Sequence, residues 1–243
     1  MTVAALVHGT VIAPDGACKK AVLIENGCIA ALVDDREIPP DATVCNLDGG
    51  MLVAGFIDVQ ANGGGGVQFD NAPTVAALRT MTAAHARFGT TGLMPTLTSA
   101  DYPAIAAAVA AVDQAMTDGM PGLIGLHIEG PFISPEKHGI HDPHHFRQLD
   151  AEGMRLLTSL RHGKMLVTLA PECVPPERIS ELVRAGVVVS LGHSNADYDT
   201  AKRAIDAGAR GFTHLYNAMS PLSTRAPAMV GSALDDSRAW CGI

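Results

Sequence analysis

The sequence predicts an α/β fold: a TIM-type (β/α)8 barrel, incomplete, with strands 1 to 6 and the start of a seventh, preceded by a small β module. Three observations carry the prediction. From Met51 onward, apolar runs of strand length alternate with segments whose apolar residues recur at three- and four-residue spacing, the pattern of βα units around a parallel sheet. Several of those runs turn polar at their C-terminal ends, where barrels of this type carry their sites. No G-x-G-x-x-G follows a first strand, which disfavours the alternative of a doubly wound open sheet.

Residues 1–50 form the first predicted domain. VAALVHGTVIAP leads to a turn at Asp15-Gly16. AVLIENGCIAALV contains Asn26-Gly27, the strongest short hairpin signal. DDREIPPDA is acidic and proline-rich, and TVCNLDGG follows it.

Residues 51–243 form the second. LVAGFIDVQ (52–60) reads as the first barrel strand, with the Gly-rich loop ANGGGG after it. TVAALRTMTAAHARF (74–88) is helical, GTTGLMPTLT (89–98) is the second strand, and an Ala-rich helix covers 101–118. GLIGLHIEGP is the third strand, an apolar run that turns polar at His127 and Glu129. A helix over 149–161, the strand KMLVTLAPE (164–172) and the helix PERISELVRAG follow, the last with proline near its start and glycine at its end. VVVSLGHS (187–194), a helix over 197–207 and GFTHLYNA (211–218) complete six units. A seventh strand begins at Ala239-Trp240-Cys241-Gly242-Ile243, the last residues of the chain. An eight-stranded barrel needs more strands than this, so the sequence reads as a fragment or as a chain whose missing strands come from another.

Composition narrows the classes of function. The 243 residues are 47% hydrophobic and 17% charged, enough for a sizeable core. Asp plus Glu total 25 against 17 Lys plus Arg, a net charge of -8 with no basic patch, so nucleic acid is not an expected partner. The cysteines Cys18, Cys28, Cys45, Cys173 and Cys241 are odd in number, scattered and without a C-x-x-C pair. That predicts no disulfide framework and a cytoplasmic setting. The N-terminus lacks a basic n-region and a long apolar h-region, and no apolar run approaches the ~18 residues of a membrane span.

Glu129, His193 and His214 stand at the polar ends of the third, fifth and sixth strands. One carboxylate and two imidazoles form the ligand set of a hydrolytic zinc site with an open position for water. The ion lowers the pKa of that water toward ~7. Three such strands bring their ends together only if the sheet closes toward a barrel.

The loop EKHGIHDPHH (136–145) holds His138, His141, His144 and His145 and leaves three readings open: a metal tract, an exposed polar loop, or substrate contact over the barrel mouth. Gly63 to Gly66 lack the Lys-Ser/Thr of a P-loop and read as a tight, mobile connection. Asp58, late in the first strand, is a ligand, a base or a cap for neighbouring amides. Arg225 can fork onto a phosphate or carboxylate or simply be solvated. Ser194 has no G-x-S-x-G context, which excludes a serine hydrolase.

GFIDVQANGGGGVQF, GTTGLMPTLTS, GLHIEGPFIS, TLAPE, GHSNA and THLYNAMSP, in this order over essentially the whole chain, resemble the N-acetylglucosamine-6-phosphate deacetylase family of the amidohydrolase superfamily. The resemblance implies a distorted barrel with a small β-sandwich built from both chain ends, residues 1–50 supplying the N-terminal portion. It implies hydrolysis of the N-acetyl group of N-acetylglucosamine 6-phosphate to glucosamine 6-phosphate and acetate. Gln60 and Asn62 stand where many amidohydrolases carry an H-x-H pair, implying a single divalent metal, zinc by default, on Glu129, His193 and His214. His141 and the backbone of Ile140 are implied to line the sugar site, Asn217 and the backbone of Ala218 to meet the substrate near its phosphate, and Arg225 to bind that phosphate. A homodimer of the full-length form is implied, with no membrane or nucleic-acid partner.

The ending departs from the family. There, the stretch matching WCGI continues into a segment with another phosphate-side histidine, and an aspartate after the eighth strand acts as general acid/base. Asp235 and Asp236 match nothing catalytic. The sequence therefore leaves three expectations: a deacetylase weakened by the missing group, a related amidohydrolase for another N-acetylated amino sugar, or a remnant that binds metal or sugar phosphate without turnover. It also predicts uncovered apolar surface in the first domain.

Overall fold

The computed structural model describes residues 3–243, and the chain divides into two units, Met1–Gly55 and Phe56–Ile243. The first contains β1 (Val3–Val7), β2 (Thr10–Ala13), β3 (Gly16–Cys18), β4 (Ala21–Glu25), β5 (Cys28–Val33), β6 (Thr43–Asn46) and β7 (Met51–Leu52). They form two sheets, ordered β5-β4-β1-β6 and β3-β2-β7. Asn26 and Gly27 take φ of 51° and 78°, the paired left-handed conformation of a type I′ turn, so Glu25 faces Cys28 across the hairpin. Ala5, Val7, Ala21 and Leu23 lie two apart on β1 and β4 and make a small core. Ile29, Met51 and Val53 stay exposed, apolar surface of the kind predicted for this region.

The second unit contains β8 (Phe56–Ala61), β9 (Gly63–Gly64), β10 (Val67–Gln68), α1 (Val75–Ala86), β11 (Thr90–Leu97), α2 (Tyr102–Thr117), β12 (Gly125–Glu129), α3 (Ala151–Leu157), β13 (Lys164–Leu169), α4 (Pro176–Arg184), β14 (Val188–Leu191), α5 (Tyr198–Asp206), β15 (Gly211–Phe212), α6 (Ala228–Asp235) and β16 (Trp240–Cys241). Seven strands form one parallel sheet in the order β8-β11-β12-β13-β14-β15-β16. Strands in a sheet lie ~4.8 Å apart. Side chains from β12 and from the ends of β14 and β15 therefore meet only if the sheet curls. They do meet, with Glu129 Oε1 within 3.2 Å of both His193 Nε2 and His214 Nε2, which is consistent with an incomplete TIM-type barrel.

Helix starts follow their capping residues. Thr74, Asp101, Asp150 and Asp197 each accept a backbone N–H from three residues on, and Pro176 opens α4. Inside, Leu126 and Ile128 of β12, Val167 and Leu169 of β13, and Leu78 and Met81 of α1 are fully buried. Among the described residues no helix is long and apolar enough to cross a membrane.

Several elements differ from the predicted ones. LVAGFIDVQ is two strands, because Met51 and Leu52 pair with β2 while Phe56 begins the barrel. The four glycines form the hairpin β9–β10, with Gly65 and Gly66 at positive φ in its turn. α3 stops at Leu157, where Thr158 and Ser159 donate their hydroxyls back to the carbonyls of Met154 and Leu156. β14 and β15 end early because His193 and His214 leave the extended conformation, with φ of 47° and 37°. α6 was not predicted: it is short, carries Gly231 at its middle and has no side-chain cap.

Candidate metal centre

Glu129 is the last residue of β12, a strand buried throughout. His193 and His214 each lie two residues beyond their strands, on β14 and β15. Glu129 Oε1 stands 3.2 Å from His193 Nε2 and 3.1 Å from His214 Nε2, and the two Nε2 atoms are 3.0 Å apart. Glu129 and His193 are buried; His214 is partly exposed.

The opposite ring nitrogens fix the chemistry of this cluster. His193 Nδ1 lies 2.8 Å from the Lys137 carbonyl and His214 Nδ1 lies 3.0 Å from the Asn217 carbonyl. A carbonyl only accepts, so each Nδ1 carries the proton and each Nε2 presents a lone pair, a tautomer assigned from the hydrogen bonds. Two imidazole lone pairs and a carboxylate oxygen then converge on one point. That arrangement calls for a cation at the centre. Four-coordinate zinc with ligands at ~2.0–2.2 Å sets its donors roughly 3.3 Å apart, close to the spacing seen here. Between the protein groups alone, the carboxylate draws a proton toward the imidazole nitrogen that would otherwise face a cation. Burial opposes charge on both groups, yet the contact between them holds the Glu129 carboxyl below the usual carboxylate range and raises His214. Gln60 Nε2 adds one more donor, 2.8 Å from Glu129 Oε1.

Left-handed backbone at two non-glycine residues is costly and persists only where the surroundings impose it. Around His193, the Gly192 N–H donates to Leu169, the Ser194 N–H to Ala218 and the Ser134 N–H to the His193 carbonyl. Glu172 accepts from Ser194 Oγ at 2.7 Å and from the Asn195 N–H at 2.6 Å. The turn at His214 is closed by the Asn217 N–H on the His214 carbonyl.

A hollow of about 290 Å³ opens over the cluster, lined by Gln60, Asn62, Thr98 and Glu129 on one side and by Ile140, His141, His193, His214, Asn217 and Ala218 on the other. His141 is buried, with its ring edge-on to His193 at 4.4 Å between centroids. Its Nδ1 accepts the Ser99 N–H at 3.1 Å and lies 2.8 Å from Ser99 Oγ. Its Nε2 therefore carries the proton. Burial first, then the neighbouring His193, pushes its pKa down to about 4, so the ring is a neutral donor.

The structure brings together seven of the eight predicted site residues: Glu129, His193, His214, Ile140, His141, Asn217 and Ala218. Arg225 sits on the exposed turn Ser223–Ala226 and does not line the hollow. Of the remaining loop histidines, His138 and His144 are exposed and His145 is partly so, and His144 bonds to Asp142. Asp58 accepts the Gln60 N–H at 3.0 Å, the capping alternative. Asp235 and Asp236 are engaged by Tyr198, Lys202 and Arg238. Ser99 and Glu172 escaped the sequence reading, although each stands at the polar end of an apolar run, in TLTS and TLAPE.

The sequence pattern of the amidohydrolase family matches residues 51–241. The chain belongs to the amidohydrolase family. It is 46% identical over 225 residues to an N-acetylgalactosamine-6-phosphate deacetylase of Shewanella sp. (strain ANA-3), an alignment covering 92% of this chain and 57% of that protein. It is 38% identical over 224 residues to an N-acetylglucosamine-6-phosphate deacetylase of Haemophilus influenzae, covering 92% and 58%. The crystal structure of N-acetylglucosamine-6-phosphate deacetylase from Pasteurella multocida superposes with a TM-score of 0.95 at 35% identity, over 99% of this chain and 64% of that one. The chain thus spans less than two thirds of the length of each relative. The amidohydrolase family is metal-dependent, and Glu129, His193 and His214 form a group able to hold such an ion.

Proposed function

We propose that this chain carries the metal and substrate site of a hydrolase that removes the N-acetyl group of N-acetylglucosamine 6-phosphate, giving glucosamine 6-phosphate and acetate. The observation that carries the reading is the convergence of Glu129, His193 and His214 lone pairs under a hollow that also holds a neutral histidine donor. These three residues hold one divalent ion, zinc by default. When bound, it supplies Lewis acidity toward the amide carbonyl and lowers the pKa of water in the site.

The chain's own residues bind and orient. Gln60 and the two backbone carbonyls fix the carboxylate and the imidazoles. His141 Nε2–H and the backbone of Ile140 face the sugar and its acyl group. Asn217 and the backbone of Ala218 sit toward the phosphate, while Arg225, on its exposed turn outside the hollow, is assigned to that phosphate by the family likeness alone. Glu129 is the one carboxylate among the described residues lining the hollow. As a ligand it is not free to act as general base, so no free carboxylate for that role lines the hollow. Loss of such a group costs ~10²–10⁴ in rate.

A second reading, an enzyme for N-acetylgalactosamine 6-phosphate, is favoured by the 46% identity to a deacetylase of that name. The wider proposal follows the same likeness: residues 1–50 as part of a β-sandwich, residues 51–243 as the barrel, a cytoplasmic setting, and a homodimer in the full-length form. Calorimetry on the zinc-loaded chain with both sugar phosphates, alongside acetate assays, tests it. The expected result is binding of the phosphorylated sugars but not of N-acetylglucosamine, with acetate release slow or absent. Equal affinity with and without the phosphate would refute the sugar-phosphate reading, and rapid acetate release would refute the acid/base assignment.

A further inference from the structure

Barrel interiors of this type are usually filled by branched apolar side chains. One layer of this one is polar. His127 on β12, Thr168 on β13, Ser190 on β14 and Thr213 after β15 are all buried. His127 Nδ1 lies 3.0 Å from the Val59 carbonyl on β8, and its Nε2 lies 2.7 Å from Thr168 Oγ1. Thr168 Oγ1 is 2.7 Å from Thr213 Oγ1, which is 2.7 Å from Ser190 Oγ. Thr96 of β11 closes on the same ring, its Oγ1 3.3 Å from His127 Nδ1. The layer laces six consecutive strands.

For a neutral His127 ring the partners assign the direction of these hydrogen bonds. The Val59 carbonyl only accepts, so His127 Nδ1 donates and Nε2 must accept. Thr168 has one hydroxyl proton and gives it to His127, so it accepts from Thr213, which in turn accepts from Ser190. Every link then has its partner, the condition under which a buried polar network is tolerated.

The belt lies directly under the candidate metal centre. Val59 precedes Gln60, His127 is two residues before Glu129, and Thr213 precedes His214. Thr168 pairs in register with Glu129 on one side and with Ser190 on the other. A Cβ on Gly192 would stand 2.8 Å from Thr168 Cγ2 and 3.0 Å from Thr213 Cβ, so the residue before His193 rests on the belt. β13 itself supplies no ligand to the cluster.

We infer that His127 and Thr168 are positioning residues whose one-way hydrogen-bond chain sets the spacing of the strands that carry Glu129, His193 and His214. The inference rests on reading those three as the metal centre. Groups that hydrogen-bond a metal ligand directly typically cost about 10–100-fold in metal affinity when altered. The belt acts one step further out, through the strands that carry the ligands, so the lower end of that range, ~10-fold, is its expected ceiling.

The test is zinc affinity of the full chain, measured by competition with a chromophoric chelator, together with the thermal midpoint of the zinc-free chain. Thr168→Val keeps the shape and removes the hydroxyl; Thr168→Ser keeps the hydroxyl and removes the methyl. Thr168→Val is expected to weaken zinc binding up to about 10-fold, with Thr168→Ser within about threefold of the parent. Ser190→Ala, at the donor end, leaves only a spare lone pair on Thr213 and is expected to change zinc affinity less than Thr168→Val does. If Thr168→Val does not fold, the same Val-against-Ser comparison at Thr213 carries the test. Unchanged zinc affinity in Thr168→Val, or equal loss in Val and Ser, would overturn the positioning role. A parent chain that binds no zinc would instead overturn the metal reading beneath it.

Discussion

His141 shows how one side chain acquires a role from its surroundings. Ser99 takes its Nδ1, which leaves Nε2–H as a donor in the hollow. Replacing it by leucine removes that donor and strands the Ser99 N–H. His141→Leu should weaken binding of N-acetylglucosamine 6-phosphate by about 1–2 kcal/mol, roughly 5–30-fold in a calorimetric titration. An unchanged affinity would place the sugar elsewhere. Glu129, His193 and His214 were legible in the sequence because each is a polar residue ending an apolar run. Ser99, Thr168 and Glu172 were not. Hydroxyls and lone carboxylates are common in strands and loops, and what distinguishes these is a partner distant in sequence: His141 for Ser99, His127 for Thr168 and Ser194 for Glu172. The assignment of proton positions on the three imidazoles likewise needed the carbonyls of Lys137 and Asn217 and the amide of Ser99.

The elements hold the site through ties that the periodicity does not reveal. Asp113 on α2 is nearly fully buried and accepts the N–H groups of Arg161 and His162 at 2.9 and 3.0 Å and Arg161 Nε at 3.2 Å, fastening the helix to the segment that leads into β13. Burial alone would raise its pKa, but these donors lower it below the ordinary value. A carboxylate depressed on folding stabilises above its unfolded pKa of ~3.9 and loses that contribution as pH falls through the lower folded value. Asp113→Asn should therefore cost ~1–2 kcal/mol at neutral pH, and its deficit should narrow in melts taken below about pH 4. A constant deficit across that range would show that packing, not charge, makes the tie. Helix starts were readable from Thr74, Asp101 and Asp197 because a cap is a local signal. The ends of β14 and β15 were not, since nothing local announces left-handed backbone at a histidine. The hairpin β9–β10 and helix α6 were hidden by glycines that carry no periodicity.

Across the whole chain, the alternation of strand and helix gave the parallel order of the barrel strands, and the sheet's curl is what turns three scattered residues into one cluster. The family likeness supplied what the geometry leaves open, the class of amide proposed for such a centre. It also sets the scale of what is present: a chain spanning 57% of its Shewanella relative holds the ligand cluster and the hollow over it. Every role proposed for the site depends on Glu129, His193 and His214 binding one metal ion together. The most direct measurement is the zinc content of the chain after loading and dialysis, compared with His193→Ala. One zinc per chain in the parent and essentially none in the variant is the predicted result. Equal zinc in both, or none in the parent, would contradict it.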